Sequence, residues 1–94
     1  MSTYEWDKNK ARNNIVKHGI SFDEASSVFD DPSSLTLDDP FHSDPEERFI
    51  EIGRSIKANI LVVFYTQRGR NTRIIESTAK RQSHREDALR LRSG

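Results

Sequence analysis

The second half of this 94-residue chain sets arginines at positions suited to gripping phosphate. Arg48 opens one β-rich run, Arg68 and Arg70 stand at a turn, Arg73 begins the next run, and Arg81 follows Lys80 at its far end. A planar guanidinium fork binds two phosphate oxygens at once and stays charged. Antiparallel pairing of the runs would gather several of these forks at one sheet edge. Histidine supplies the other chemistry, because an imidazole titrates near neutrality. His18 closes a helical stretch, where it is placed either to move protons or to pack and bond a carbonyl. His84 sits between Arg81 and Arg85, whose charges favour a neutral, proton-accepting ring. Lys10, Asn14 and Lys17 recur at i, i+4 and i+7, which makes one helical stripe: a solvated face or a basic flank for a polyanion. Trp6, Tyr65 and Phe41 are the aromatic surfaces on which a base could stack; for Trp6, beside Tyr4 in a short strand, core packing is the plainer role.

His42 lies among Asp38, Asp39 and Asp44, but the spacing fits neither a calcium loop nor a zinc site. No metal or other cofactor is expected. With no cysteine, thiolate chemistry and disulfides are excluded. The zero net charge hides a division. Residues 1–47 hold four Lys and Arg against eleven Asp and Glu, a balance of −7; residues 48–94 hold eleven against four, a balance of +7. Asymmetry of this size points to a polyanion partner, most often nucleic acid.

These side chains need elements to hold them. Tyr4-Glu5-Trp6 alternates like a short strand, and Asp7 is a good N-cap for a helix to Lys17 or His18, with Ala11, Ile15 and His18 as its narrow buried stripe. Gly19 stands at the left-handed C-terminal cap position. Ser21-Phe22-Asp23-Glu24 reads as a capping box, the Glu24 carboxylate reaching back, and starts a second helix with Phe22, Ala25, Val28 and Phe29 inward. Asp30-Asp31-Pro32 ends it. Leu35-Thr36-Leu37 is an edge strand, and residues 38–47 form an acidic loop. The runs 49–55, 60–66 and 72–77 follow with short turns, so antiparallel hairpins are expected. Ile60 to Tyr65 is apolar throughout and belongs at the centre. A basic helix over 80–91, with Ala88, Leu89 and Leu91, closes the chain. The fold class is α+β: one small domain over 1–94, with two N-terminal helices, a central antiparallel sheet of three to five strands and a C-terminal helix. The longest apolar run is far short of the roughly 20 residues that span a bilayer, and no signal peptide is apparent; a cytoplasmic protein with no membrane partner is expected.

Two helices around Gly19 also suggest a helix-turn-helix, but residues 21–29 carry Asp23 and Glu24 and no cation, so the second helix would meet DNA phosphates with negative charge. The string Trp6-Asp7-x-x-Lys10-x-x-x-Asn14-x-x-Lys17-His18-Gly19-Ile20-Ser21-Phe22-x-Glu24-Ala25 resembles the N-terminal signature of the BrnT family, toxins of bacterial type II toxin-antitoxin pairs with a RelE-like fold. Phe29-Asp30-Asp31-Pro32, Glu47-Arg48-Phe49 with Ile52-Gly53, and Arg73-Ile74-Ile75 resemble the same family in the same order, over roughly residues 4–81.

The resemblance implies an RNA-cleaving growth inhibitor that blocks translation, silenced by a BrnA-like antitoxin, through an antitoxin dimer that alone contacts operator DNA. Where family members often read Ile-Ser-Ala-Arg, this chain has Ile75-Glu76-Ser77-Thr78; Lys80 and Arg81 would have to supply the charge that Thr78 lacks. Metal-free RNA cleavage needs a base for the ribose 2′-hydroxyl, cations on the phosphorane-like transition state, and an acid for the leaving 5′-oxygen. Arg48, Arg73, His18, Lys80 and Arg81 are therefore the candidate catalytic residues, and Arg68, Arg70, Lys10, Lys17 and His84 the candidate RNA-binding ones. The charge split places Arg48, Arg73, Lys80 and Arg81 in one positive groove. The alternative function is a catalytically weakened interaction protein that only binds its antitoxin.

Overall fold

The computed structural model describes residues 3–40 and 47–80. The chain runs β1 (Thr3–Glu5), α1 (Lys8–His18), α2 (Phe22–Ser26), a 3₁₀ turn (Ser27–Asp30), β2 (Leu35–Asp38), β3 (Arg48–Arg54), β4 (Ile60–Arg68) and β5 (Asn71–Ala79). The strands form one five-stranded sheet in the order β1-β5-β4-β3-β2, so the all-apolar run is its central strand as expected. The expected antiparallel sheet is in fact mixed: β1 pairs parallel with β5 through Thr3↔Asn71 to Glu5↔Arg73. Parallel neighbours require a long crossover between them, and the whole chain from α1 to β4 provides it. The C-terminal helix expected over 80–91, with Arg81 and His84, lies outside the described residues from Arg81 onward. The Lys80 N–H donates to Ile60 O (2.8 Å) and extends the β4–β5 ladder by one bond.

Local signals set the helix ends. Asp7 Oδ1 accepts from Asn9 N (2.7 Å) and Lys10 N (3.1 Å), and these hydrogen bonds hold the Asp7 carboxyl below the usual carboxylate range, helped by the nearby Lys10 and Arg73 charges. Gly19 takes φ 71° and returns its N–H to Ile15 O, a left-handed cap that favours glycine. Ser21 Oγ accepts Glu24 N (3.0 Å), but the capping box stops halfway. The buried Glu24 carboxylate turns inward to accept from Ser55 Oγ (2.6 Å) and Asn59 Nδ2 (2.9 Å), tying α2 to the β3–β4 turn. A buried carboxylate must be hydrogen-bonded, and two donors from another element satisfy it better than one local N–H.

Both helices lie on one side of the sheet. Ile20, Phe22, Ala25 and Val28 meet Leu61, Val63 and Ile74 in the core, with Tyr4, Trp6, Ala11 and Phe29 packed around it. Burying Phe22 alone contributes about 1.5–3 kcal/mol. Trp6 meets Phe22 edge to face at 5.8 Å, so it anchors the core, and the buried Tyr65 ring sits 4.9 Å from Phe29. Tyr65 OH donates to the buried Glu51 (3.1 Å), and burial with that neighbouring charge pushes the phenol up to about 12. Gly53 is needed by close approach: a Cβ there would stand 2.8 Å from Ser34 Cβ and 3.0 Å from Val28 Cγ1.

The expected buried stripe of α1 is wrong in one place that matters. Ile15 is 51% exposed, whereas Asn14, expected to face outward, is 4% exposed. Its Nδ2 donates to Ile20 O (3.0 Å) and Ser77 O (2.9 Å), and its Oδ1 accepts Ser77 N (3.1 Å). Because β1 covers only the first residues of β5, the rest of β5 has no strand neighbour on that side among the described residues; the Asn14 amide pairs with Ser77 there as a neighbouring peptide would. One side chain thus lays α1 along the strand edge, with its cationic face beside the groove that results.

Candidate active site

The predicted residues fall into two places. In the first, register puts Arg48 opposite Thr66 and Thr66 opposite Arg73, so both arginines project from the sheet face away from the helices in one row. Arg68 lies further along the same face, and Arg70 is exposed in the two-residue turn with Gly69, whose φ of 59° favours glycine. Lys80 is not in this row. It sits beside Ile60 at the other end of β4, about 20 Å from Arg73 at roughly 3.3 Å per residue. The expectation of one groove holding Arg48, Arg73, Lys80 and Arg81 therefore fails for Lys80, because antiparallel pairing sends the two ends of β5 to opposite ends of the sheet. Arg81 and His84 are outside the described residues.

Both row arginines face carboxylates of the acidic half. Arg73 Nη1 donates to Glu5 Oε2 (2.9 Å), and Asn71 Nδ2 donates to Glu5 Oε1 (2.9 Å), which together hold the Glu5 carboxyl below the usual carboxylate range. Arg48 Nε stands 3.8 Å from Oδ2 of the buried Asp39. Between the arginines, Thr66 is buried and its hydroxyl donates to Glu47 O (2.7 Å). The acidic and basic halves of the chain meet here.

The second place is the groove between α1 and β5. His18 Nε2 lies 3.3 Å from Glu76 Oε2, with both side chains partly exposed. Lys10, Asn13 and Lys17 overhang Ile75 and Glu76 in a cavity of about 240 Å³, and a neighbouring cavity of about 320 Å³ is bounded by Lys17, His18, Thr78 and Ala79. Neither Lys10 nor Lys17 forms an ion pair among the described residues. Arg73 approaches the other end of α1, where its charge reaches the Asp7 carboxyl.

Glu76 reaches this groove through an irregularity in β5. Phe64 pairs with Glu76 and Tyr65 with Ile74, which leaves Ile75 as the extra residue of a β-bulge. Strict alternation from the buried Ile74 would aim Glu76 at the core; with the bulge, Ser77 takes that place at 0% exposure and both Ile75 and Glu76 line the groove. Sequence reasoning gives Glu76 no role. A signal existed, since an alternating strand through Ile74 would otherwise bury a lone glutamate.

The groove thus brings together His18, Lys10 and Lys17 of the predicted set and adds Glu76, Asn13 and Thr78. Among the described residues no group of three or more His, Asp or Glu side chains is arranged to hold a metal ion, and no helix is long and apolar enough to cross a membrane. An imidazole touching a carboxylate, flanked by open ammonium groups, is a set able to move a proton beside a bound phosphate.

Residues 6–86 match a family model described as the ribonuclease toxin BrnT of type II toxin-antitoxin systems. The crystal structure of the ribonuclease toxin BrnT of Brucella abortus is similar to this chain at a TM-score of 0.66 and 22% identity, over 87% of this chain and 100% of that one, a likeness of fold. Among curated proteins there is no match.

Proposed function

This chain belongs to the BrnT family of ribonuclease toxins of type II toxin-antitoxin systems, and from that premise we propose that it cuts RNA in the groove between α1 and β5. The observation that carries this reading is the contact between His18 and Glu76 inside a groove whose two lysines have no carboxylate partner among the described residues. The Glu76 carboxylate takes the proton of a ribose 2′-hydroxyl, and that oxygen attacks the adjacent phosphorus. The Lys17 and Lys10 ammonium groups stabilise the charge that develops on the phosphoryl oxygens. The bond to the 5′-oxygen breaks as the His18 imidazolium protonates it, leaving a 2′,3′-cyclic phosphate and a free 5′-hydroxyl. Acid, base and cations are all supplied by side chains, so the reaction needs no metal.

Arg73, at the far end of the groove, tethers a further phosphate once Glu5 yields to it. Arg48 has a lesser part, because Asp39 lies beside it across β3 from the groove. A type II toxin acts together with an antitoxin; for this chain the partner is a BrnA-like protein, the RNA is messenger RNA and the place of action is the cytoplasm. The test is purified protein incubated with RNA in EDTA, with the new ends identified. Cyclic phosphate ends that disappear in His18→Gln and in Glu76→Gln support the assignment. Cleavage that requires an added metal, or that survives in both variants, removes it.

A further inference from the structure

Of the two asparagines beside the groove, only Asn14 has its amide engaged among the described residues. Asn14 uses both Nδ2 hydrogens and its Oδ1 on Ile20 and Ser77 and has nothing left to offer a ligand. Asn13 is exposed, borders the cavity of about 240 Å³, and its side-chain amide bonds no described residue. A free amide beside a fixed one on the same wall is a group available for recognition. It presents one donor and one acceptor in a plane, the pattern that matches the amino group and ring nitrogen of adenine.

The cavity suits a single base. Its volume is below the roughly 300–1,000 Å³ of sites for larger ligands. The bulge turns Ile75 toward it, an apolar side chain against which a flat ring can pack while the backbone there stays in the sheet. Lys10 and Lys17 stand at its rim as charges for phosphate, which carry no base information. Lys17 also borders the neighbouring cavity with His18 and Thr78, and Glu76, which touches His18, belongs to the first. Whatever fills the first cavity is therefore adjacent to the reacting phosphate.

We infer that the cavity under Lys10, Asn13 and Lys17 is a nucleobase pocket that seats the base beside the cut linkage, with Asn13 reading its edge and selecting adenine. This deepens the groove assignment and rests on it.

The experiment uses short single-stranded RNAs in which one linkage retains its 2′-hydroxyl and all others are 2′-O-methylated, the base beside the cleavable linkage being A, C, G or U. Relative kcat/KM values on the four give the preference. The wild-type chain should favour adenine, with a bidentate amide contact worth roughly 5- to 150-fold discrimination. Asn13→Ala should flatten the preference. Asn13→Asp, which keeps the shape and an acceptor but lacks the donor, should lose most of it. Equal rates on all four RNAs for the wild type, or an unchanged adenine preference in both Asn13 variants, overturn the pocket. His18→Gln on the same RNAs separates the two readings. If it abolishes cleavage while the Asn13 variants keep the wild-type preference, the pocket alone falls; if it cuts like the wild type, the groove falls and the pocket with it.

Discussion

On the sheet face away from the helices, Arg48 and Arg73 sit in one row and each faces a carboxylate of the acidic half; along α1, Lys10 and Lys17 form no ion pair among the described residues. Both regions are cationic in sequence, yet among the described residues the sheet pairs its charge while the helix edge does not. The Glu5 carboxylate holds one Arg73 nitrogen at 2.9 Å and its charge weakens the pull of that guanidinium on a phosphate, whereas no carboxylate stands in ion-pair contact with Lys10 or Lys17 among the described residues. The groove also sets an imidazole 3.3 Å from a carboxylate, and among the described residues the row holds no histidine. The comparison shows why charge counted by halves of a chain locates a polyanion surface poorly: what matters is which cations the fold leaves without a neighbour.

The comparison breaks most readily at the proton-transfer pair. Replacing His18 or Glu76 by glutamine should each lower kcat at least about 100-fold, in line with the usual worth of positioned acid–base groups. Arg48→Ala should stay within about tenfold of the wild type in the same assay. A drop in Arg48→Ala equal to that in His18→Gln would move the site to the sheet face.

The next effect is on stability. Asn14→Ala leaves the Ser77 N–H and C=O and the Ile20 carbonyl without their partner, and at about 1–3 kcal/mol per buried group left unpaired a destabilisation of roughly 3 kcal/mol or more is expected in chemical denaturation. Asn13→Ala, one residue away and exposed, should cost less than about 0.5 kcal/mol.

These two neighbours mark the limit of what the sequence discloses. The Asp7 and Gly19 caps, the Ser21 hydroxyl at Glu24 N, the edge strand at Leu35-Thr36-Leu37, the hairpins and the central place of the run from Ile60 to Tyr65 were all legible, because each follows from residue types a few positions apart. Antiparallel pairing did bring Arg48 and Arg73 together, though in a row across a sheet face and not at the expected sheet edge. Asn14 looked solvated because its partner is Ser77, which no local pattern connects to it. Glu24 looked like a local cap for the same reason, with Ser55 and Asn59 out of sight. The parallel pairing of β1 rests on three residues, too few for a periodic signal. Lys80 was misplaced because the direction of β5 sets where its end falls. Glu76 was missed because a bulge shifts alternation by one, and only the conflict between an alternating strand and a buried glutamate announced it.

A smaller effect separates the two sets of cations by salt. Removing one cation that binds a phosphate should reduce the slope of log affinity against log salt by about 0.7 for single-stranded RNA. Lys10→Ala combined with Lys17→Ala should lower it by about 1.4, twice that value. Arg48→Ala should change it little; equal slopes in both would erase the distinction.

The smallest effect comes from the paired side. Glu5, Asp7 and Asp31 have carboxyl groups held below their usual range, Glu5 chiefly by the Arg73 hydrogen bond and the other two by backbone N–H groups. A depressed folded-state value stabilises the fold above the unfolded value of about 4, and that contribution is lost as pH falls through the folded values. Thermal unfolding should therefore shift to lower temperature as pH drops below about 4, and Glu5→Gln should weaken that dependence by a small, measurable amount. An unchanged pH profile in Glu5→Gln would mean that the pair with Arg73 adds nothing to stability.

Mapping amide chemical shifts during titration with a 2′-O-methylated RNA, which binds but cannot be cut, tests the location most directly. The shifts should concentrate on Lys10–His18 and Ile75–Ala79, along the two walls of the groove. Shifts concentrated on Arg48–Arg54 and β2, with α1 unmoved, would contradict the account.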